Sequence, residues 1–135
     1  MTVFVDTSAL LAILDADDAN HGEALEVWQK LLSQDATLLC TNYILLETFA
    51  LVQHRLGLEA LTLLQSDVAS VLSVRWVDPQ VHAAAVAALL IARRRKLSLV
   101  DCVSFEIARR SGVEIAFAFD RHFAEQGFQC LPTRE

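Results

Sequence analysis

The sequence is poor in several things that other protein classes need. Its three cysteines, Cys40, Cys102 and Cys130, are odd in number and lack CxxC spacing. That excludes a disulfide framework or a cysteine-built zinc cluster, and leaves small core residues in a reducing cytoplasm as the expectation. Four glycines and two prolines are too few for a linker-like or disordered chain. No basic region opens the amino terminus, where Asp6 is the first charge, so no secretory signal is expected. The longest stretch with a single charge, Ala36 to Gln53, carries Glu47, Asn42, Gln53 and three threonines, so no membrane span is expected either. Positive charge is also scarce: the net charge of −6 argues against a protein that grips nucleic acid through its overall field.

What is present is apolar mass. With 54% hydrophobic residues in 135, the chain has enough for one core and too little length for two, which implies a single domain over residues 1–135. The charge is unevenly spread. Residues 1–92 hold three cations and eleven acids, whereas residues 93–121 hold seven cations and four acids. Arg93, Arg94, Arg95 and Lys96 are consecutive, and two roles are compatible for them: complementing a helix end, and forming a local contact strip for phosphate.

Hydrophobic periodicity predicts alternating strands and helices. Thr2 to Val5 is a continuous apolar, β-branched run closed by Asp6, the pattern of a strand buried on both faces of a parallel sheet. A short helix over Ser8 to Leu14 follows, then an amphipathic one from His21 to Leu32, a strand from Thr37 to Thr41, and a helix capped by Asn42 and stopped by Gly57. Leu61, Leu64, Val68, Val71 and Leu72 predict the next helix, and Val74 to Val77 a strand. Asp78-Pro79 is a helix start with proline at the first helical position, for a helix running to about Arg95. A helix from Leu99 to Gly112, a strand from Glu114 to Phe119, a short helix ending at Gly127 and a strand over Phe128 to Leu131 complete the pattern. Trp28 and Trp76 fall on helix and strand runs and read as core. The implied class is α/β, with a mostly parallel sheet between helical layers. Ligands of such sheets bind outside the carboxyl ends of the strands, where Asp6 and Asp120 are both expected.

Each acid has a structural reading beside the functional one. Asp78 also ends a strand and starts a helix, so strand-Asp-helix alone proves little, and Asp120 is an N-cap candidate. After Asp6, the Thr7 or Ser8 hydroxyl offers a cap that leaves the carboxylate free of that duty. Ser98-x-x-Asp101 matches a capping box, which leaves Asp101 with both readings open. Glu47 has Tyr43, Ile44, Ala50 and Leu51 as its helical neighbours, so its face is expected to point inward, and no lysine or arginine lies between Lys30 and Arg55 to pair with it. Carboxylates that converge repel one another, and a divalent cation is the usual reason a fold tolerates them. An all-oxygen donor set favours Mg²⁺ or Mn²⁺, and the matching chemistry is metal-assisted hydrolysis of a phosphodiester.

Val3-Phe4-Val5-Asp6-Thr7-Ser8-Ala9-Leu10, Glu47 within Asn42-Tyr43-Ile44-Leu45-Leu46-Glu47, Leu97-Ser98-Leu99-Val100-Asp101 and Phe119-Asp120-Arg121-His122-Phe123 together resemble the PIN domain, and in particular its VapC-type toxins. The resemblance spans essentially the whole chain. It implies a three-layer α/β/α sandwich and a Mg²⁺- or Mn²⁺-dependent endoribonuclease. Asp6, Glu47, Asp101 and Asp120 would form its acidic cluster. Asp6 and Asp101 would be the firmest metal ligands, with Glu47 and Asp120 acting directly or through water and Ser8 in support. Arg93, Arg94, Arg95, Lys96 and Arg121 are the candidate phosphate contacts. The resemblance further implies an RNA substrate, a cognate antitoxin, a homodimer, a cytoplasmic setting and no membrane. One residue departs from the pattern: many relatives carry Thr or Ser two residues before the last Asp, where this chain has Ala118. His122 reads as a surface or cap residue, because no readable motif places a second histidine with it for acid-base RNA cleavage.

Other classes fit less well. A phosphatase with an aspartyl nucleophile wants a second Asp where Ser8 stands, and a receiver-type phosphoacceptor needs a lysine near the acids, whereas the only lysines are Lys30 and Lys96. A housekeeping RNA-processing nuclease, and a binding module that keeps the fold with its acids as caps, are the remaining alternatives. Metal-dependent cleavage separates the binding module from an enzyme.

Overall fold

The computed structural model describes residues 1–134. Five strands form one sheet: β1 (Thr2–Val5), β2 (Thr37–Thr41), β3 (Ser73–Arg75), β4 (Ile115–Phe117) and β5 (Gln129–Leu131). Every neighbouring pair is parallel and the order is β3-β2-β1-β4-β5. In the central strand β1, Phe4 lies opposite Leu39 on one side and Ala116 on the other. Val3, Phe4 and Val5 are fully buried, as the unbroken apolar run requires.

Helices α1 (Thr7–Leu14) and α2 (His21–Ser33) connect β1 to β2, and α3 (Asn42–Leu56) and α4 (Leu58–Leu63) lead toward β3. Helices α5 (Pro79–Ala92) and α6 (Leu99–Arg110) cross back to β4, and α7 (His122–Glu125) leads to β5. The first two crossovers step one way across the sheet and the last two step the other way. Right-handed connections then put helices on both faces, which is the three-layer α/β/α sandwich. The Phe123 ring packs 5.7 Å from Phe4 and 5.0 Å from Phe105, centroid to centroid, so α6 and α7 share the face of the sheet that Phe4 presents. Among the described residues no helix is long and apolar enough to cross a membrane.

Several element ends differ from the sequence-based expectation. Thr41, not Asn42, caps α3: its hydroxyl accepts the Ile44 N–H at 3.1 Å, while the Asn42 side chain accepts from Val77 N at 2.8 Å and ties the start of α3 to the chain leaving β3. Gly57 ends α3 with φ near +90°, a conformation a side chain would strain. The helix expected through Leu72 stops at Leu63 and passes into a wide turn over Leu64–Val68 and a tight one over Ala69–Val71. The change of pitch buries Leu64 and Val68 but leaves Val71 exposed. Helix α5 ends at Ala92 because Arg93 takes the left-handed conformation, so the arginines follow the helix and do not form its last turn. The expected strands shorten to three residues at β3, β4 and β5.

Trp28 is buried, whereas Trp76 is 75% exposed and not part of the core. Strand β3 is an edge strand that ends at Arg75, and the chain has left the sheet by the next residue. Cys40 and Cys102 are buried and Cys130 is half-buried, all as free thiols. Burial pushes the Cys40 thiol up to about 12.

Candidate active site

The chain steps from β1 to β2 on one side and returns to place β4 on the other, so the carboxyl ends of β1 and β4 flank the switch point of the sheet, where α/β domains hold ligands. Asp6 leaves β1 there, and its N–H donates to Phe117 O at 3.0 Å, which fastens it to the end of β4. Asp120 follows β4, and Asp101 arrives from the first turn of α6. One carboxylate oxygen from each of Asp6, Asp101 and Asp120 lies within 4.8 Å of the other two. They line a crevice of about 300 Å³ together with Thr7, Ser8, Glu47, Lys96 and His122.

Every acid of the trio also holds backbone, so the structural and functional readings coexist. Asp6 is itself the N-cap of α1, accepting from Ser8 N at 3.2 Å and from the Ser8 hydroxyl at 2.6 Å. This corrects the expectation that Thr7 or Ser8 would relieve it of capping. The physical reason is the Ser8 hydroxyl, which is committed to the Asp6 carboxylate as donor and to Phe119 N as acceptor, at 2.9 Å. Asp101 completes a full capping box: its N–H donates to the Ser98 hydroxyl at 3.1 Å and its carboxylate accepts Ser98 N–H at 3.0 Å. Asp120 accepts from His122 N at 3.0 Å. A carboxylate oriented by backbone donors holds its position, which suits a ligand.

The electrostatics are unfavourable to the acids alone. Asp6 is 3% exposed and Asp101 8%. The Asp6 carboxyl is pushed well above its usual range, first by burial, then by the negative charge of Asp120 and to a lesser degree Asp101, with the Ser8 hydroxyl pulling the other way. Among the described residues no lysine or arginine pairs with any of the three. Thr7, also lining the crevice, buries a hydroxyl that has no hydrogen-bond partner among the described residues. Three hard oxygen donors, an unneutralised negative charge and an orphaned hydroxyl in one crevice fit a hard divalent cation with its waters.

Glu47 lines this crevice from α3 but stands outside the tight trio. It is half-buried at the rim, and not turned into the core as its apolar neighbours suggested. The buried face of α3 is Ile44, Thr48 and Val52, one residue further round the helix. The basic run divides. Lys96 lines the crevice, while Arg93, Arg94 and Arg95 border a separate surface depression with Leu89 and Leu90, and Arg94 pairs with Glu125 at 3.1 Å. Arg121 is exposed beside Asp120. The Thr7 hydroxyl, expected as a cap, caps nothing among the described residues, and sequence reasoning missed the Leu11 and Leu51 walls, which read as ordinary helix core.

Ser8 joins Asp6 to the β4 end, so Ser8→Ala should leave Phe119 N–H without its acceptor and push the Asp6 carboxyl up further. A ten- to hundred-fold loss of Mn²⁺ affinity in a calorimetric titration is expected, the usual cost of removing a partner that orients a metal ligand.

Fold and crevice together define a class: a parallel α/β domain with an acidic centre at its topological switch point. The chain belongs to the PIN domain family, which it matches over residues 3–129. It is 33% identical over 127 residues to the 23S rRNA-specific endonuclease VapC20 of Mycobacterium tuberculosis, an alignment covering 93% of this chain and 95% of that protein. The crystal structure of that protein, described as a sarcin-ricin loop cleaving toxin, superposes with a TM-score of 0.83 at 33% identity, over 93% of this chain and 95% of the other. VapBC2 from Rickettsia felis, solved on a DNA fragment from its promoter, shares the fold at 10% identity, with a TM-score of 0.71 over 96% of this chain and 97% of the other.

Proposed function

We propose that this chain is a metal-dependent endoribonuclease that acts in the cytoplasm as the toxin of a toxin-antitoxin pair, hydrolysing RNA phosphodiester bonds at the Asp6, Asp101 and Asp120 crevice. The observation that carries this reading is the convergence of three carboxylates, with oxygens within 4.8 Å, at the switch point of the sheet. Support comes from near full-length similarity to a 23S rRNA-specific endonuclease.

Asp6 and Asp101 are the residues that would hold Mg²⁺ or Mn²⁺, with Asp120 and Glu47 binding directly or through water. When bound, the cation supplies Lewis-acid polarisation of the phosphate and acidifies the attacking water. The protein contributes orientation. Backbone donors fix Asp101 and Asp120, Ser8 fixes Asp6, and Lys96 brings one positive charge to the phosphate from the crevice wall. Thr7 lines the same crevice. Arg121 and the arginines after α5 are the outer phosphate contacts of the same reading. A cognate antitoxin that covers this crevice and a second copy of the chain are the protein partners of this reading.

The test is cleavage of tRNAs and 23S rRNA fragments by purified, antitoxin-free protein in Mn²⁺ and in EDTA. Discrete cuts that require the metal are expected. Cuts that persist in EDTA would overturn the chemistry, and a protein that neither cuts nor titrates Mn²⁺ would be a binding module.

A further inference from the structure

Beside the carboxylate crevice lies a second cavity of about 370 Å³ at the ends of β4 and β5, lined by Ala118, Phe119, Asp120, Arg121, Cys130 and Arg134 among others. Asp120 borders both cavities, so whatever fills this one lies directly beside the reacting centre. Its walls differ from those of the crevice. Phe119 contributes a half-buried aromatic ring, and the exposed Arg134 guanidinium sits over it, 5.9 Å from its centroid, with Glu23 3.7 Å away. Ala118 and Cys130 contribute small or soft side chains to the lining. Arg121 stands at the mouth, and Gln129 and Thr133 add an amide and a hydroxyl to the lining.

A half-buried aromatic ring with a movable guanidinium over it, in a cavity whose lining mixes apolar side chains with hydrogen-bonding groups and two cations, matches an unpaired nucleobase and its attached phosphate. The cavity is also tied to the acidic centre. Phe119 N donates to the Ser8 hydroxyl at 2.9 Å, and that hydroxyl donates to Asp6 at 2.6 Å, so the stacking ring and the principal carboxylate share one short hydrogen-bond chain. We propose that this cavity is a nucleobase subsite, holding an unpaired base of the RNA next to the phosphate that is cut. Phe119 stacks on one face of the base, the exposed Arg134 guanidinium moves off that ring to cover the other face, and Arg121 meets the flanking phosphate. The inference rests on the nuclease reading and adds to it the requirement for an unstacked base beside the cut.

The experiment compares binding of the four nucleoside 5′-monophosphates and of ribose 5-phosphate to the full chain in Mn²⁺, followed by calorimetry. At least one nucleotide is expected to bind roughly ten-fold more tightly than the sugar phosphate, the scale of one base-aromatic stack. Phe119→Leu, which keeps apolar bulk and loses the ring, and Arg134→Ala should each remove most of that preference while Mn²⁺ affinity is unchanged. Equal binding of nucleotides and ribose 5-phosphate would overturn the subsite. So would Phe119→Leu and Arg134→Ala proteins that keep the wild-type preference, or variants that lose affinity for the antitoxin but not for nucleotides. Failure of the two readings is distinguishable. RNA cleavage at unchanged sites and rate in Phe119→Leu removes the subsite and leaves the nuclease, whereas nucleotide preference without any RNA cleavage removes the nuclease and leaves the subsite.

Discussion

Asp6→Asn should lower RNA cleavage by at least about a thousand-fold, or about 4 kcal/mol in the barrier, while making the metal-free protein more stable at neutral pH. Activity and stability move apart because the two demands on Asp6 conflict. Asn keeps the oxygen that caps α1 and accepts from Ser8 N, but removes the charge that a divalent cation needs. Without metal that charge is a burden: the carboxyl is buried, faces Asp120 and Asp101, and is held well above its usual 3.8. The folded protein therefore retains a proton that the unfolded chain has already lost. Stability falls as pH rises from about 3.8 through the folded-state value and stays reduced above it. In EDTA, melting temperatures should be higher for Asp6→Asn than for wild type at pH 7, and the gap should narrow on acidification toward pH 4. Mn²⁺ should raise the melting temperature of the wild type and not of the variant. Undiminished cleavage by Asp6→Asn would remove the acidic centre from the mechanism.

Phe123→Ala should cost about 3–5 kcal/mol of stability, enough to lower the melting temperature by about 10–20 °C. Phe123 is fully buried and sits among three aromatic partners, with ring centroids 5.7 Å from Phe4, 5.0 Å from Phe105 and 5.6 Å from Phe128. It joins the central strand, α6 and the segment after α7. The consequence reaches the active centre, because α7 has only four residues and Asp120 is oriented by the N–H of its first, His122. Mn²⁺ affinity should therefore fall in Phe123→Ala even at temperatures where the chain is folded. Phe123→Leu should recover most of both losses. Unfolding in urea with parallel Mn²⁺ titration measures the two effects separately, and a destabilised variant with wild-type affinity would break the proposed link between this aromatic cluster and Asp120.

Much of the fold was legible because its signals are local. The β-branched run before Asp6, the Asp78-Pro79 start of α5 and the Ser98-x-x-Asp101 box each act within a few residues, and each forms where the pattern puts it. The pairing order of the sheet was not legible, since parallel strands are joined through crossovers and their neighbours are chosen by packing. Apart from Glu47 within α3, the residues whose place the pattern did not give lie at element ends. Asn42 found a partner 35 residues away in Val77, and Thr41 took its capping place. Trp76 was placed in the core because its run is apolar, yet an edge strand of three residues releases it to solvent.

At the site, the residue types and their positions at the ends of apolar runs identified Asp6 and Asp120 as neighbours of the functional edge, and an acid-rich, oxygen-only donor set implied a hard cation. That much depends on backbone periodicity and side-chain chemistry, both of which are written in the sequence. Tertiary structure alone decided that Asp6, Asp101 and Asp120 close to within 4.8 Å while Glu47 stays at the rim, that Lys96 separates from its three arginine neighbours, and that Phe119 and Arg134 enclose a cavity beside the carboxylates. These outcomes depend on how α3, α6 and the carboxy-terminal segment pack over the sheet, and helix rotation and loop path follow from the shape of the whole core and not from any local run of residues.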